Sequence, residues 1–258
     1  MEIRYFFAVS LVVSASTVFA AAGSLRHVKD PKWHNATATW YGSPEGDGST
    51  GGACGYGTMV DVQPFKARVG AVSPALFKEG EGCGACYKVK CLDNTICSKK
   101  AVTVIITDQA PQRYSDRPLF DLSGSVYGRM AITGHGSSLR DRGEMPIIYR
   151  RTPCKCKRKN IAFHVNEGST AYWLSLLVEF ENGDGDIGSM HIKESGSKKW
   201  LEMNHLWGAN WVFNGPLRGP LSVKITTLSS GATLTASDVI PRNWAPKATY
   251  TSRLNFHI

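Results

Sequence analysis

The residues best equipped for chemistry are two aspartates thirteen positions apart. Asp108 closes the apolar run "AVTVIITD", and Asp121 sits in "PLFDLSGSVYG" between a bulky apolar pair and a small-residue turn. Two carboxyls delivered by neighbouring strand ends can serve a glycosidase, one protonating the leaving oxygen and the other activating water. Leu119 and Phe120 lie beside Asp121 in sequence, and apolar surroundings hold a carboxyl protonated to higher pH, as a general acid requires. The base is harder to find. The Gly-rich "EGDGSTGG" offers only Asp47, which reads as a turn residue. Asp108 and Asp121 are equally suited, on sequence alone, to cap strand ends and hold loops.

The compartment bears on which chemistry is sensible. After Arg4 come eighteen uncharged residues, "YFFAVSLVVSASTVFAAA", ending on small side chains. This has the form of a secretory signal peptide over residues 1–22, and the rest of the chain is expected to be extracellular with no membrane segment in its mature form. The net charge is +9, spread along the chain: residues 24–152 carry 17 basic and 12 acidic groups, and residues 153–258 carry 12 and 8. Such a protein is drawn to polyanions, and acidic extracellular polysaccharide fits better than nucleic acid, because no stripe of Lys and Arg interleaved with aromatics occurs. The basic "KCKRK" at 155–159 reads as a solvated linker.

Seven cysteines, all between Cys54 and Cys156, read as a disulfide framework of the first half with one thiol left over. Spacing does not say whether Cys154 or Cys156 is the spare. A zinc or redox site at Cys83-x2-Cys86 is demoted by secretion and by the missing second ligand pair, so no metal and no cofactor are expected. The sequon at Asn35 is a candidate glycosylation site.

The elements that must position these groups are mainly β. Residues 23–37 read as an N-terminal extension. Residues 38–152 alternate short apolar runs with Gly-rich loops and suggest a small disulfide-stapled barrel, with short helices only at "SPALFKEG" and "GSVYGRMAI". Ser73 before Pro74 is an N-cap signal. Residues 153–159 read as a linker. Residues 160–258 alternate cleanly, as in "IAFHV" and "LSVKITTL", which predicts a β-sandwich with "ENGDGDIG" and "SSGAT" as hairpin turns. Asp184 and Asp186 in "NGDGD" hint at a calcium loop, but the later ligands are missing and a tight turn is expected. Trp200, Trp211 and Trp244 are expected in the core.

Four signatures occur in order: "ATWYGSPEGDGSTGGACGYG", "GCGACYKVKC", "TDQAP" and "FDLSGSVYGRMA", followed by "FHVNEGS" and "HLWGANWVFNGPLRGPLSVKITT". Together they closely resemble the plant expansins, and within them the β-expansins that include grass-pollen group 1 allergens. The resemblance implies a six-stranded double-psi β-barrel, related to barwin and to family 45 endoglucanases, followed by an immunoglobulin-like sandwich. It implies that Thr39, Trp40, Tyr41, Asp108 and Asp121 line a groove, with Asp121 at the position of the endoglucanase acid. It places Trp173 and Trp207 on a sugar-binding platform, since flat aromatic faces take up the apolar faces of sugar rings. It pairs Cys54 with Cys83, Cys86 with Cys154 and Cys91 with Cys97, leaving Cys156 over. Leu119 departs from the family, many members of which carry histidine there. The function implied is loosening of the plant cell wall by a monomer that binds matrix glycans such as xylan, or cellulose, without hydrolysis. Two alternatives stand beside it: an inverting endoglycanase with Asp47 or Asp108 as base, and a barwin-like defence protein that only adheres to sugar.

Overall fold

A computed structural model describes residues 30–111 and 117–258. The expected signal peptide and residues 23–29 of the expected extension lie outside the described residues.

The first unit is a closed six-stranded barrel. Its strands are β1 (His34–Tyr41), β2 (Val69–Val72), β3 (Cys86–Cys91), β4 (Val102–Gln109), β5 (Leu119–Ser123) and β6 (Met145–Arg151), in the order β1-β5-β2-β4-β3-β6. The β1–β5 and β2–β4 pairs are parallel and the others antiparallel. The alternation read from "AVTVIITD" is the reason for closure: Val104 and Ile106 turn inward to meet Phe120, Leu122 and Ile147 in one core. Tyr87 and Tyr149 pack their rings around Phe120 at 5.4 and 4.9 Å. β1 begins at His34, so its first four residues fall within the stretch read as an extension.

Two expected short helices are present as α1 (Pro74–Phe77) and α2 (Gly124–Gly128), joined by a third, α3 (Gly136–Arg140). Ser73 stands at the N-cap of α1 without capping it; its hydroxyl accepts instead from the Leu119 N–H at 3.3 Å and ties the helix to β5. Three bridges, Cys54–Cys83, Cys86–Cys154 and Cys91–Cys97, staple the loops, and Cys156 is a buried free thiol.

The second unit contains β7 (Ala162–Val165), β8 (Trp173–Glu179), β9 (Ile187–Glu194), β10 (Leu201–Trp207), β11 (Asn210–Asn214), β12 (Leu221–Thr227), β13 (Thr233–Ile240) and β14 (Thr249–Thr251). They form one continuous ladder, β13-β12-β9-β10-β11-β8-β7-β14. β10 is the seam. Its Leu201–Met203 pairs with β9, and after that its Asn204–Trp207 pairs with β11 through a register shift. The ladder thereby folds over into two layers sharing one core, to which Phe163, Leu174 and Leu176 come from one side and Ile192, Val223 and Ile225 from the other.

"SSGAT" makes the β12–β13 hairpin, whereas "ENGDGDIG" does not make a hairpin. It crosses from β8 in one layer to β9 in the other. Asp184 and Asp186 in this crossover are buried rather than exposed in a turn. Asp186 pairs with Arg151 of the barrel at 2.5 Å and accepts from the Ser229 hydroxyl, while Asp184 accepts from the Ser230 N–H and hydroxyl. Arg151 also donates to the Asp184 carbonyl at 3.0 Å, so one guanidinium joins the two units. The expected linker is likewise pinned, by Cys154 N–H to the Gly183 carbonyl at 2.7 Å and Cys156 N–H to Asn182 Oδ1 at 2.7 Å.

Candidate functional site: a barrel groove continued by an aromatic face

The register of four adjacent strands builds the centre of the groove. Thr39 on β1 faces Asp121 on β5, Asp121 faces Ala71 on β2, and Ala71 faces Asp108 on β4. The two aspartates therefore sit on one rung, separated by two strand spacings, about 9.5 Å at the backbone. Ala71 between them leaves the floor low. Thr39 donates its hydroxyl to Asp121 Oδ1 at 2.7 Å. Leu119 is buried with Ala71 and Ala110 in a small cluster at this rung. Phe120 points the other way into the barrel core, so of the two apolar neighbours only Leu119 shares the face of Asp121.

Asp108 is committed to holding backbone. Its Oδ1 accepts from the Ala53 N–H at 2.7 Å and from the Gln109 N–H at 2.8 Å. Cys54 N–H donates to the Thr107 carbonyl at 3.1 Å, so the end of β4 carries the whole "GGACG" loop. Tyr41, on the same face of β1 as Thr39, has a buried hydroxyl with no hydrogen-bond partner, although the Ser49 and Thr107 hydroxyls lie close. Burial pushes its pKa up to about 12, with the Asp108 and Asp121 carboxylates adding to the effect. It is thus a neutral phenol within reach of the charges of both carboxylates. Asp47 is exposed in its loop, where its N–H donates to the Ser43 hydroxyl.

Trp40 lies on the face of β1 shared with Ala36 and Ala38, packs part of its ring against the barrel core, and donates its indole N–H to the Arg140 carbonyl at 2.9 Å. It thereby braces α3 and stays half-buried. The alternation of "ATATWY" contained that signal, since Trp40 falls in phase with the two alanines.

The groove continues onto the second unit through Trp207, which is 44% exposed. Gly55 makes the junction close. It has φ +82°, and a Cβ there would lie 2.7 Å from Trp207 Cη2. Gly208, with φ +55°, packs its backbone onto Ala53 and Cys54, and the Ala209 N–H donates to the Cys54 carbonyl at 3.0 Å. The loop held by Asp108 is therefore also the seat of Trp207. Beyond it, an open trough of about 550 Å³ runs past Asn210, Leu177 and His164. Trp207 pairs with Asn210, and Asn210 with Leu177, so the three share one row. Trp173 is half-buried on the same face of β8 as Leu177, four residues along, or about 13 Å.

Two features of this face could not be read from the sequence, Gly55 as a contact and the buried unpartnered Asn210 amide nitrogen; Tyr172, just before β8, is 72% exposed. Among the other tryptophans, Trp211 is core and Trp244 is partly buried against it. Trp200 was expected in the core but is half-buried at the surface, with the ammonium groups of Lys193 and Lys224 over its ring at 5.2 and 4.9 Å. Asn35 is exposed on β1.

Residues 161–241 match the family model described as the expansin C-terminal domain, and residues 69–149 match one described as lytic transglycolase. Expansin-B3 of Arabidopsis thaliana is 68% identical over 92% of this chain and 90% of its own. Expansin-B16 of Oryza sativa subsp. japonica is 63% identical over 99% of this chain and 96% of its own. The chain belongs to the expansin family. Its relatives place it in the B group of expansins. The same fold occurs in crystal structures of Clavibacter michiganensis expansin. The apo form matches with TM-score 0.64 at 22% identity, over 88% of this chain and 99% of that one. A point mutant of that protein in complex with cellohexaose matches with TM-score 0.66 at 21% identity, over the same shares. Among the described residues, no helix is long and apolar enough to cross a membrane.

Proposed function

We propose that this expansin is a secreted, monomeric wall-loosening protein that grips a polysaccharide along the groove and separates it from its neighbours without cleaving it. The observation that carries this reading is the division of labour between the two aspartates. Hydrolysis by inversion needs an acid and a base free to activate a water. Asp108 has the right distance on the rung, but its Oδ1 already takes two backbone N–H groups and anchors the loop beneath Trp207. Asp47 is an exposed turn residue. Asp121, braced by Thr39, faces the groove as a hydrogen-bonding group for sugar hydroxyls. Tyr41, a neutral buried phenol on the same face of β1, backs this wall of the groove.

In this reading Trp207 and Trp173 hold the glycan by stacking, while Thr39 and Asp121 on the central rung bend or tilt the bound segment. The complex of the Clavibacter protein with cellohexaose supports a sugar chain as the occupant. Matrix glycans such as xylan, and cellulose, are the polymers to test first. Replacing Asp121→Asn keeps the shape and removes the charge. It should abolish extension of isolated walls and leave binding to insoluble glycan within about twofold. Normal extension by that variant would remove Asp121 from the mechanism.

A further inference from the structure

The basic "KCKRK" run is more than a solvated linker. Lys155 and Lys157 are exposed on either side of buried Cys156, so both project from the same side of the pinned segment. They line a cleft of about 470 Å³ together with Arg68, just before β2, and Lys88 on β3. Lys88 pairs in register with Thr103 of β4, and both stand on the outer wall of the barrel, on the face opposite the buried Val89 and Val104. The cleft shares no residue with the Asp108–Asp121 rung or with the Trp207 trough.

Two properties define what could fill it. Four cations converge with no side-chain carboxylate in the lining, and among the described residues none of the four forms an ion pair. Ile258 adds an apolar side chain to the lining. Uncompensated charge in a concave site focuses the local potential and recruits anions. The lining also contains no Trp, Tyr, Phe or His. A neutral glucan would stack on aromatics, as would the bases of a single-stranded nucleic acid. Here recognition must run through charge, with Thr103 and Thr152 as hydroxyl partners.

We infer that this cleft is a second polysaccharide site, specific for a polyuronate, a glycan bearing one carboxylate per sugar ring. It would hold the protein on acidic polymer while the groove works on a neutral one, and it stands whether or not the groove loosens walls. The test uses the full mature chain and calcium-free oligogalacturonate, with methyl-esterified oligogalacturonate and xylohexaose as uncharged probes. The wild type should bind the acid form at least tenfold more tightly than its methyl ester, and the difference should shrink with added salt. The triple variant Lys88→Gln/Lys155→Gln/Lys157→Gln should lose at least tenfold of that affinity and keep its xylohexaose binding. A control of equal charge loss elsewhere, Lys193→Gln/Lys198→Gln/Lys199→Gln, should lose less than threefold. Equal losses in the two triple variants would mean diffuse attraction to net charge and overturn the site. So would equal binding of acid and ester.

Discussion

Glu179 closes β8 and Glu181 follows it at the start of the crossover, and both are buried. Burial raises the Glu179 pKa from 4.5 to about 7, opposed only by Lys159. Burial also holds Glu181 well above the usual range, helped by Asp186 and Asp184 and opposed by the Gly185 N–H and Arg151. An acid whose folded pKa is raised keeps its full stability below the unfolded value and loses it as pH climbs to the folded value. The window is therefore pH 4.5 to about 7 for Glu179, and the pair favours the folded protein in acid. At 1.36 kcal/mol per pH unit its share is roughly 3 kcal/mol, equivalent to about 6–12 °C in Tm for a chain of this size. His164, whose pKa burial depresses, acts in the opposite direction. Asp30 and Asp93, held low by hydrogen bonds, act below the window. Comparing the wild type with Glu179→Gln isolates the glutamate, because the other groups titrate alike in both. Thermal unfolding followed by circular dichroism from pH 4.5 to 7.5 should show the wild type losing stability relative to the variant as pH rises. A constant difference between the two proteins across this range would refute the reasoning.

The two readings of Asp108 separate on one pair of variants. Asp108→Asn keeps an acceptor at Oδ1 for Ala53 and Gln109 and should retain most wall-loosening activity, whereas Asp108→Ala should cost about 2–4 kcal/mol of stability and most of the activity. Loss of activity in Asp108→Asn with unchanged Tm would instead favour Asp108 as a base. Trp207→Ala should weaken glycan binding about tenfold, roughly 1.4 kcal/mol, in pull-down with insoluble xylan or cellulose. Gly55→Ala should reproduce part of that loss with the indole still present, because its Cβ would push Trp207 from its seat.

Much of the fold was legible because strand alternation reports burial directly. Ile161, Phe163 and Val165, and then Leu221, Val223 and Ile225, alternate in sequence and do form the sandwich core. Asp121 and Thr39 could be named from motifs, and pairing β1 with β5 made them partners. What failed was whatever depends on a partner far away in sequence. "NGDGD" looks like a turn because nothing nearby could satisfy its carboxylates; Arg151, Ser229 and Ser230 do so from 35 to 46 positions away. The double role of Asp108 was hidden likewise, since Ala53 lies 55 residues upstream. Trp40 falls in phase with Ala36 and Ala38, so the alternation of β1 already pointed to its contact with the barrel core.

The central claim is that the groove grips without cutting. Purified mature protein applied to clamped, heat-inactivated walls at pH 4.5, with length and released reducing sugar recorded together, tests it most directly. The account predicts sustained extension with sugar release no higher than in the buffer control. Extension that rises in proportion to released sugar would contradict it and make this expansin a hydrolase.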